Sequence, residues 1–256
     1  MSESPRRGIR LIDVLIVIGI AALSIGLLLP AVRTIREPAN RMKCSNNLKQ
    51  IMLGMHNYAD TNSCFPTGCI GPGTTPEERL SWMFALLPYV EQDALAHQFD
   101  MKKGYAENLP TAQAIVKTYL CPNGNRGAVE PITYYMAMAG IGLDAATRAE
   151  DTAGNGFMGY DRQTSMASIK DGDWHTIALM ETRFDLGPWV RGGMSNLRGF
   201  DPDDLPWYGK ERPFDGHPKG INVALADGST RFLSSSIDAK VLAAAITIAG
   251  GEPFDL

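Results

Sequence analysis

The residues in this chain best suited to chemistry are His217 and, ten positions later, Asp227 followed by Gly228. An imidazole and a carboxylate are the usual partners of general acid–base work and of many metal sites. The segment between them argues against a shared centre. Residues 221–226 are INVALA, and as an extended strand at ~3.3 Å per residue they carry Asp227 far from His217 unless the chain bends at Pro218-Lys219-Gly220. Asp-Gly suits a tight type I′ turn, so 221–226 and 229–234 read as a hairpin with His217, Asp227 and Gly228 as structural residues. The four cysteines, Cys44, Cys64, Cys69 and Cys121, admit three full disulfide pairings. No paired C-x-x-C is present, and His56 and His97 lack the spacing of zinc ligands, so no metal and no cofactor is expected. The G-x-S-x-G, H-E-x-x-H and Walker patterns are missing, and Gly140-Ile141-Gly142 and Gly154-Asn155-Gly156 read as turns. No catalytic residue is assigned, and an enzyme is not expected.

The elements that position these residues follow from composition and pattern. In 256 residues, 24 Lys and Arg stand against 28 Asp and Glu, a formal charge of −4 with no basic stripe for nucleic acid. Hydrophobic residues make up 45% of the chain, enough for a folded core. Helices are predicted over Ser81–Gln98, broken near Pro88, over Pro110–Leu120, and over Ala239–Ala249, capped by Asp238 and stopped by Gly250. Ile132–Met138 and His175–Glu181 have the β-branched and aromatic content of strands. The resulting class is α+β, with a long N-terminal helix packed on a mostly antiparallel sheet.

Composition is uneven at the start. Residues 14–32, VLIVIGIAALSIGLLLPAV, contain no charge, and 19 residues at ~1.5 Å each approach the ~30 Å of a hydrocarbon core. The run exceeds a signal-peptide core and ends at Leu29-Pro30-Ala31-Val32-Arg33, a poor cleavage site, so a retained transmembrane helix is expected. Its short basic leader, with Arg6, Arg7 and Arg10, is expected to stay cytoplasmic. Beyond Pro30, apolar residues Ile35, Ala39, Met42, Leu48, Met52, Met55 and Ala59 recur at mostly helical steps, predicting a continuation that Pro38 kinks or divides. Asp13 is the odd residue, because a carboxylate at the centre of a membrane helix costs ~2.5–3.5 kcal/mol. It either reaches water at the interface, pairs with Arg10 on its own helix, or awaits a cation from another chain.

The start, Arg6-Arg7-Gly8-Ile9-Arg10-Leu11-Ile12-Asp13, resembles the type IV prepilin signal. That resemblance implies cleavage between Gly8 and Ile9 by a prepilin peptidase, methylation of the Ile9 amine, and Asp13 as the acid that compensates a neighbouring subunit's amine. Ile9 stands in place of the usual Phe, Asp13 in place of Glu, and Arg10 at a position normally small or polar. Cys44-Ser45-Asn46-Asn47-Leu48-Lys49-Gln50-Ile51, with His56-Asn57-Tyr58 and Phe65-Pro66, resembles the pseudopilin-like family known as domain of unknown function 1559. Trp82, Leu86–Gln92, Leu120-Cys121-Pro122, Asp171-Gly172, Thr176-Ile177, Glu181 and the His217-x9-Asp227-Gly228 box extend the likeness. Because Cys44 and Cys121 both fall in family motifs, the resemblance favours the pairs Cys44–Cys121 and Cys64–Cys69.

The resemblance implies three parts: a cytoplasmic leader over 1–8, a transmembrane and stalk helix over 9–62, and an exported α+β head over 63–256. It implies a single-pass protein of the cytoplasmic membrane, N-terminus inside and head in the periplasm or outside. The expected role is a structural subunit of a type II secretion-like or type IV pilus-like assembly, with prepilin peptidase, other pilin-like subunits and the membrane as partners. The alternative is a tethered binding module that forms no filament, for which Trp189 and Trp207, expected to be exposed in glycine-rich loops, are the hint.

Overall fold

The structure, a computed structural model, describes residues 11–122, 124, 130–184 and 186–251, and over residues 25–35 the backbone alone. The chain divides into two units, Met1–Asn40 and Arg41–Leu256. Helix α1 (Leu11–Asn62) begins in the first and ends in the second. It runs through Pro30 and Pro38 as one element and closes where Ser63, at φ 64, enters the left-handed region and donates its N–H to Ala59 O.

Among the described residues, no helix is long and apolar enough to cross a membrane. This overturns the expected transmembrane helix of a pilin-like fold, and with it the single-pass placement in the cytoplasmic membrane with an exported head. The physical reason is the polarity of α1 beyond its apolar start. From Arg33 onward α1 is charged, with Arg36, Glu37, Arg41, Lys43 and Lys49.

The second unit is α+β. Its main sheet is ordered β5-β3-β4-β6-β7, formed by β3 (Tyr135–Ile141), β4 (Ile177–Glu181), β5 (Leu197–Phe200), β6 (Gly220–Leu225) and β7 (Thr230–Ser234). A small antiparallel pair, β1 (Cys69–Ile70) with β2 (Leu80–Ser81), lies apart from it. The main sheet is mixed rather than mostly antiparallel, because β5 runs parallel to β3. Strand β4 returns the chain to the end where β3 starts, and residues 182–196 carry it past β3 to begin β5 at that same end. Nothing in Leu197-Arg198-Gly199-Phe200 alternates, so pattern gives no sign of this strand.

The inner strands are buried on both faces, and side chains alternate between the two except at Ile177–Leu179 of β4, where the register shifts. Tyr135, Ala137, Ala139, Leu179 and Ala224 join the core containing Leu48, Ile51, Met52 and Met55 of α1 with Phe65, Trp82 and Trp189. Met136, Met138, Ile177, Met180, Ile221 and Val223 face the other way, onto Leu242, Ala245 and Ile246 of the C-terminal helix and onto Phe200 and Phe214. Met42 of the expected stripe is exposed instead.

Helical turns are shorter than pattern predicts. Ser81–Gln98 resolves into α2 (Trp82–Ala85), a 3₁₀ turn at Leu87–Val90 and α3 (Asp93–Ala96). Pro110–Leu120 keeps only α4 (Leu109–Ala112) and a 3₁₀ turn at Lys117–Tyr119. The last helix, α5 (Ala239–Ile246), starts where Asp238 Oδ1 accepts the Lys240 N–H at 2.7 Å. It ends before Gly250 because Thr247 is extended and Ile248 donates its N–H to Asn155 O.

The irregular region after β3 is organised by one cation. Gly140 takes φ 127 at a bulge, where a Cβ would strike the Gly154 carbonyl oxygen. Arg162, 5% exposed, then threads this region. Its Nη1 donates to Ala145 O, Arg148 O and Asn155 Oδ1 at 3.2–3.3 Å, and its Nη2 to Ala139 O (2.9 Å), Gly156 O (3.3 Å) and Met158 O (2.7 Å). Burial pulls its pKa down to about 10, still above neutral pH, so the guanidinium stays charged. Hydrogen bonds to a charged group are worth ~1.5–3 kcal/mol each, and an orphaned buried carbonyl costs ~1–3 kcal/mol. Arg162→Met is expected to lose at least ~3 kcal/mol of stability in urea unfolding. Arg148→Met, which removes only a surface pair with Asp144, is expected to lose less than ~1 kcal/mol.

Candidate functional site: a buried polar cluster at one end of the sheet

The end of the sheet where β3 starts, β4 stops and β6 starts holds the polar residues of greatest chemical interest. Cys44 and Asn47 come from α1, Tyr135 opens β3, Glu181 closes β4, Asn222 lies on β6, and His217 lies just before it. Cys44 is bonded to Cys121, which follows the 3₁₀ turn at Lys117–Tyr119, across a Cα separation of 5.4 Å. Closing 77 residues of chain in this way removes denatured-state freedom worth ~4.5 kcal/mol on the chain-entropy account.

Glu181 is 2% exposed, and Asn222 supplies its hydrogen bonds. The Asn222 N–H donates to Oε2 at 2.7 Å, and its Nδ2 donates to Oε1 at 3.1 Å and to Oε2 at 3.2 Å. The same Nδ2 reaches Arg41 O at 3.3 Å. His217 Nε2 stands 3.4 Å from Glu181 Oε1, and the His217 carbonyl accepts from Tyr208 Oη. On the α1 side, Asn47 Nδ2 donates to Leu120 O (2.8 Å) and Tyr135 Oη (3.1 Å), and Tyr135 Oη donates to Cys44 O (3.5 Å). Burial, then the Glu181 charge, push the Tyr135 hydroxyl well above its ordinary pKa, so it stays neutral.

His217 and Asp227 are not brought together. His217 pairs with Gly220 at the start of β6, while Asp227 lies in the turn beyond its end. There Gly228 N–H donates to Leu225 O, Leu225 N–H to Ser229 O, and Asp227 Oδ1 accepts the Ser229 N–H at 2.8 Å. Of the two turn residues only Gly228 has positive φ, 86°, so the hairpin closes through a three-residue loop rather than the type I′ turn, which needs positive φ at both. A Cβ on Gly228 would lie 3.6 Å from His56 Nε2, which places this turn beside α1.

Other predicted positions scatter. Gly8 and Ile9 lie outside the described residues, and Asp13 is exposed in the first turn of α1. Cys64 and Cys69 form no bridge with each other. The Cys64 thiol turns to Asn62 O and the Cys69 thiol to Pro76 O. Trp189 and Trp207 are core residues, 0% and 4% exposed, whose indole N–H groups donate to Ala114 O and Ile237 O. Sequence reasoning missed the roles of Glu181 and Asn222. The available signal was one polar residue in each of two otherwise apolar strands, IALME and INVAL.

The family model described as "Protein of unknown function (DUF1559)" matches residues 33–203, about two thirds of the chain, and the chain belongs to that family. Cys44, Cys121 and Glu181 fall inside the matched range and His217 beyond it. No curated protein and no solved structure matches the chain.

The two unbridged thiols differ in environment. Burial pushes Cys69 up to about 12, against the lowering effect of Arg79, whereas Cys64 is half-buried in the loop after α1. Because thiolate is the reactive form, iodoacetamide applied to the native protein at pH 8 is expected to give one adduct, on Cys64. Peptide mapping that found Cys69 labelled at a similar rate would contradict this placement.

Proposed function

We propose that this protein is a structural, pilin-like subunit, processed by a prepilin peptidase between Gly8 and Ile9. It assembles with other pilin-like subunits in a type II secretion-like or type IV pilus-like system. The observation that supports this reading is the exposed apolar surface on the first turns of α1. Leu11 is 78% exposed and Leu23 69%, with Ile12, Leu15, Val17 and Ile20 open between them. Contiguous apolar surface of this kind marks an interaction site, and copies of the same helix offer a matching cover.

Asp13 sits within that surface. Packing between helices would desolvate it, and the methylated, protonated amine of a neighbour's Ile9 is a cation that would offset the cost. The processing step rests on the likeness of Arg6-Arg7-Gly8-Ile9-Arg10-Leu11-Ile12-Asp13 to the prepilin signal. The reading is structural rather than catalytic, in keeping with a polar cluster whose residues are enclosed by α1 and the sheet.

Intact mass and N-terminal sequencing of protein co-expressed with a prepilin peptidase are expected to give a methylated Ile9 as the first residue. Asp13→Ala is expected to reduce cross-linked multimers at least tenfold while leaving thermal unfolding of the second unit unchanged. Retention of Met1, or full multimer formation by the variant, would overturn the reading.

A further inference from the structure

Cys44, Cys121, Glu181 and His217 come from four separate stretches of the chain, and one ligand atom from each lies within 4.8 Å of the other three. All four residues are buried, at 0%, 5%, 2% and 2% exposure. Two sulfurs, an imidazole nitrogen and a carboxylate oxygen form a donor set suited to tetrahedral zinc, and a structural zinc site is closed to solvent as this cluster is. With Zn–N and Zn–O bonds of ~2.0–2.1 Å, the N···O edge of a tetrahedron is about 3.4 Å, and with Zn–S of ~2.3 Å the S···S edge is about 3.8 Å. His217 Nε2 and Glu181 Oε1 are 3.4 Å apart, beyond an ordinary hydrogen bond and at the length of that edge. The 5.4 Å between the Cys44 and Cys121 α-carbons leaves room for the sulfurs to part to their own edge by side-chain rotation.

The carboxylate is already oriented for this role. Asn222 donates its N–H and Nδ2 to Glu181, an outer layer of hydrogen bonds of the sort that fixes metal-ligating carboxylates. Two thiolates, one carboxylate and Zn²⁺ sum to a single negative charge, which those donors face.

We propose that this cluster is a redox-gated zinc site: the Cys44–Cys121 bridge closes it when oxidised, and its reduction opens a Cys₂HisGlu site for one zinc ion. A dithiol reductant supplies two electrons and two protons to the S–S bond and is itself oxidised to a disulfide. Zinc then displaces the two thiol protons and forms two Zn–S bonds, so the whole exchange consumes one dithiol and one Zn²⁺ and releases two protons. The site is independent of the N-terminal segment, and its fate does not bear on the assembly reading.

The test uses the full chain with zinc or cobalt(II) as the probe. After reduction and removal of reductant under nitrogen, one zinc per chain is expected, measured by elemental analysis after gel filtration. The oxidised protein should take up none. Cobalt(II) should give thiolate charge-transfer bands and the intense visible bands of a tetrahedral ion. Cys44→Ser with Cys121→Ser should abolish uptake, and Glu181→Gln and His217→Ala should each weaken it at least tenfold. Cys64→Ser with Cys69→Ser should leave it unchanged. Asn222→Ala, a positioning change, should weaken binding with the cobalt spectrum retained. If His217→Ala does not fold, the isosteric Glu181→Gln decides. Where reduction itself abolishes the near-ultraviolet circular dichroism, zinc should restore it. Absence of uptake by the reduced protein, equal uptake by the oxidised protein, uptake undiminished without Cys44 and Cys121, or failure of zinc to restore the lost signal would each overturn the proposal.

Discussion

A carboxylate almost wholly withdrawn from water, Glu181, sets the terms for the end of the sheet that it occupies. Removing such a charge from water costs several kcal/mol even after relaxation, and the cost is offset only where donors are fixed in place. Asn222 provides them, and it can do so only while β4 and β6 keep their antiparallel register, with Met180 opposite Val223. The same Asn222 amide holds the Arg41 carbonyl, so one side chain joins the acid, two strands and α1. The Cys44–Cys121 bond adds a covalent tie three residues further along the helix. Register, helix placement and disulfide therefore support one another.

Much of this was legible in the sequence, and the parts that were not have physical causes. The hairpin of β6 and β7 was readable because β-branched runs flank an Asp-Gly pair, and α5 because Asp238 is a strong cap. The turn type was not, since a loop of two residues and one of three share those letters and only φ at Asp227 separates them. The membrane-spanning expectation came from counting uncharged residues, whereas among the described residues no helix is long and apolar enough to cross a membrane. Strand β5 was hidden because Arg198 and Gly199 interrupt its pattern; the Arg198 guanidinium bonds Pro213 O and Phe184 O, so its burial serves loops rather than the sheet.

The cluster at Glu181 was legible only in pieces. Cys44 and Cys121 were paired through family likeness, His217 was weighed against Asp227, and Glu181 entered only as one letter of a motif. What joins them is tertiary: residues 44, 121, 181 and 217 share neither a helix period nor a loop, and the fold alone makes them neighbours. Conversely, the separation of His217 from Asp227 followed from strand length, a purely local quantity. Membership of a family described as of unknown function supplies no chemistry by itself, so the case for any role rests on such placements.

The strand order β5-β3-β4-β6-β7 also bears on how the chain is made. Ribosomal synthesis delivers β3 and β4 long before β6, the inner strand that completes the pairing of β4, and α5 emerges later still. Until then Met136, Met138, Ile177 and Met180 lack the apolar lid that α5 and its neighbours supply. A nascent chain of this protein thus carries an open strand edge and a bare greasy face from the completion of β4 until β6 and α5 emerge, the condition under which unfinished sheets aggregate.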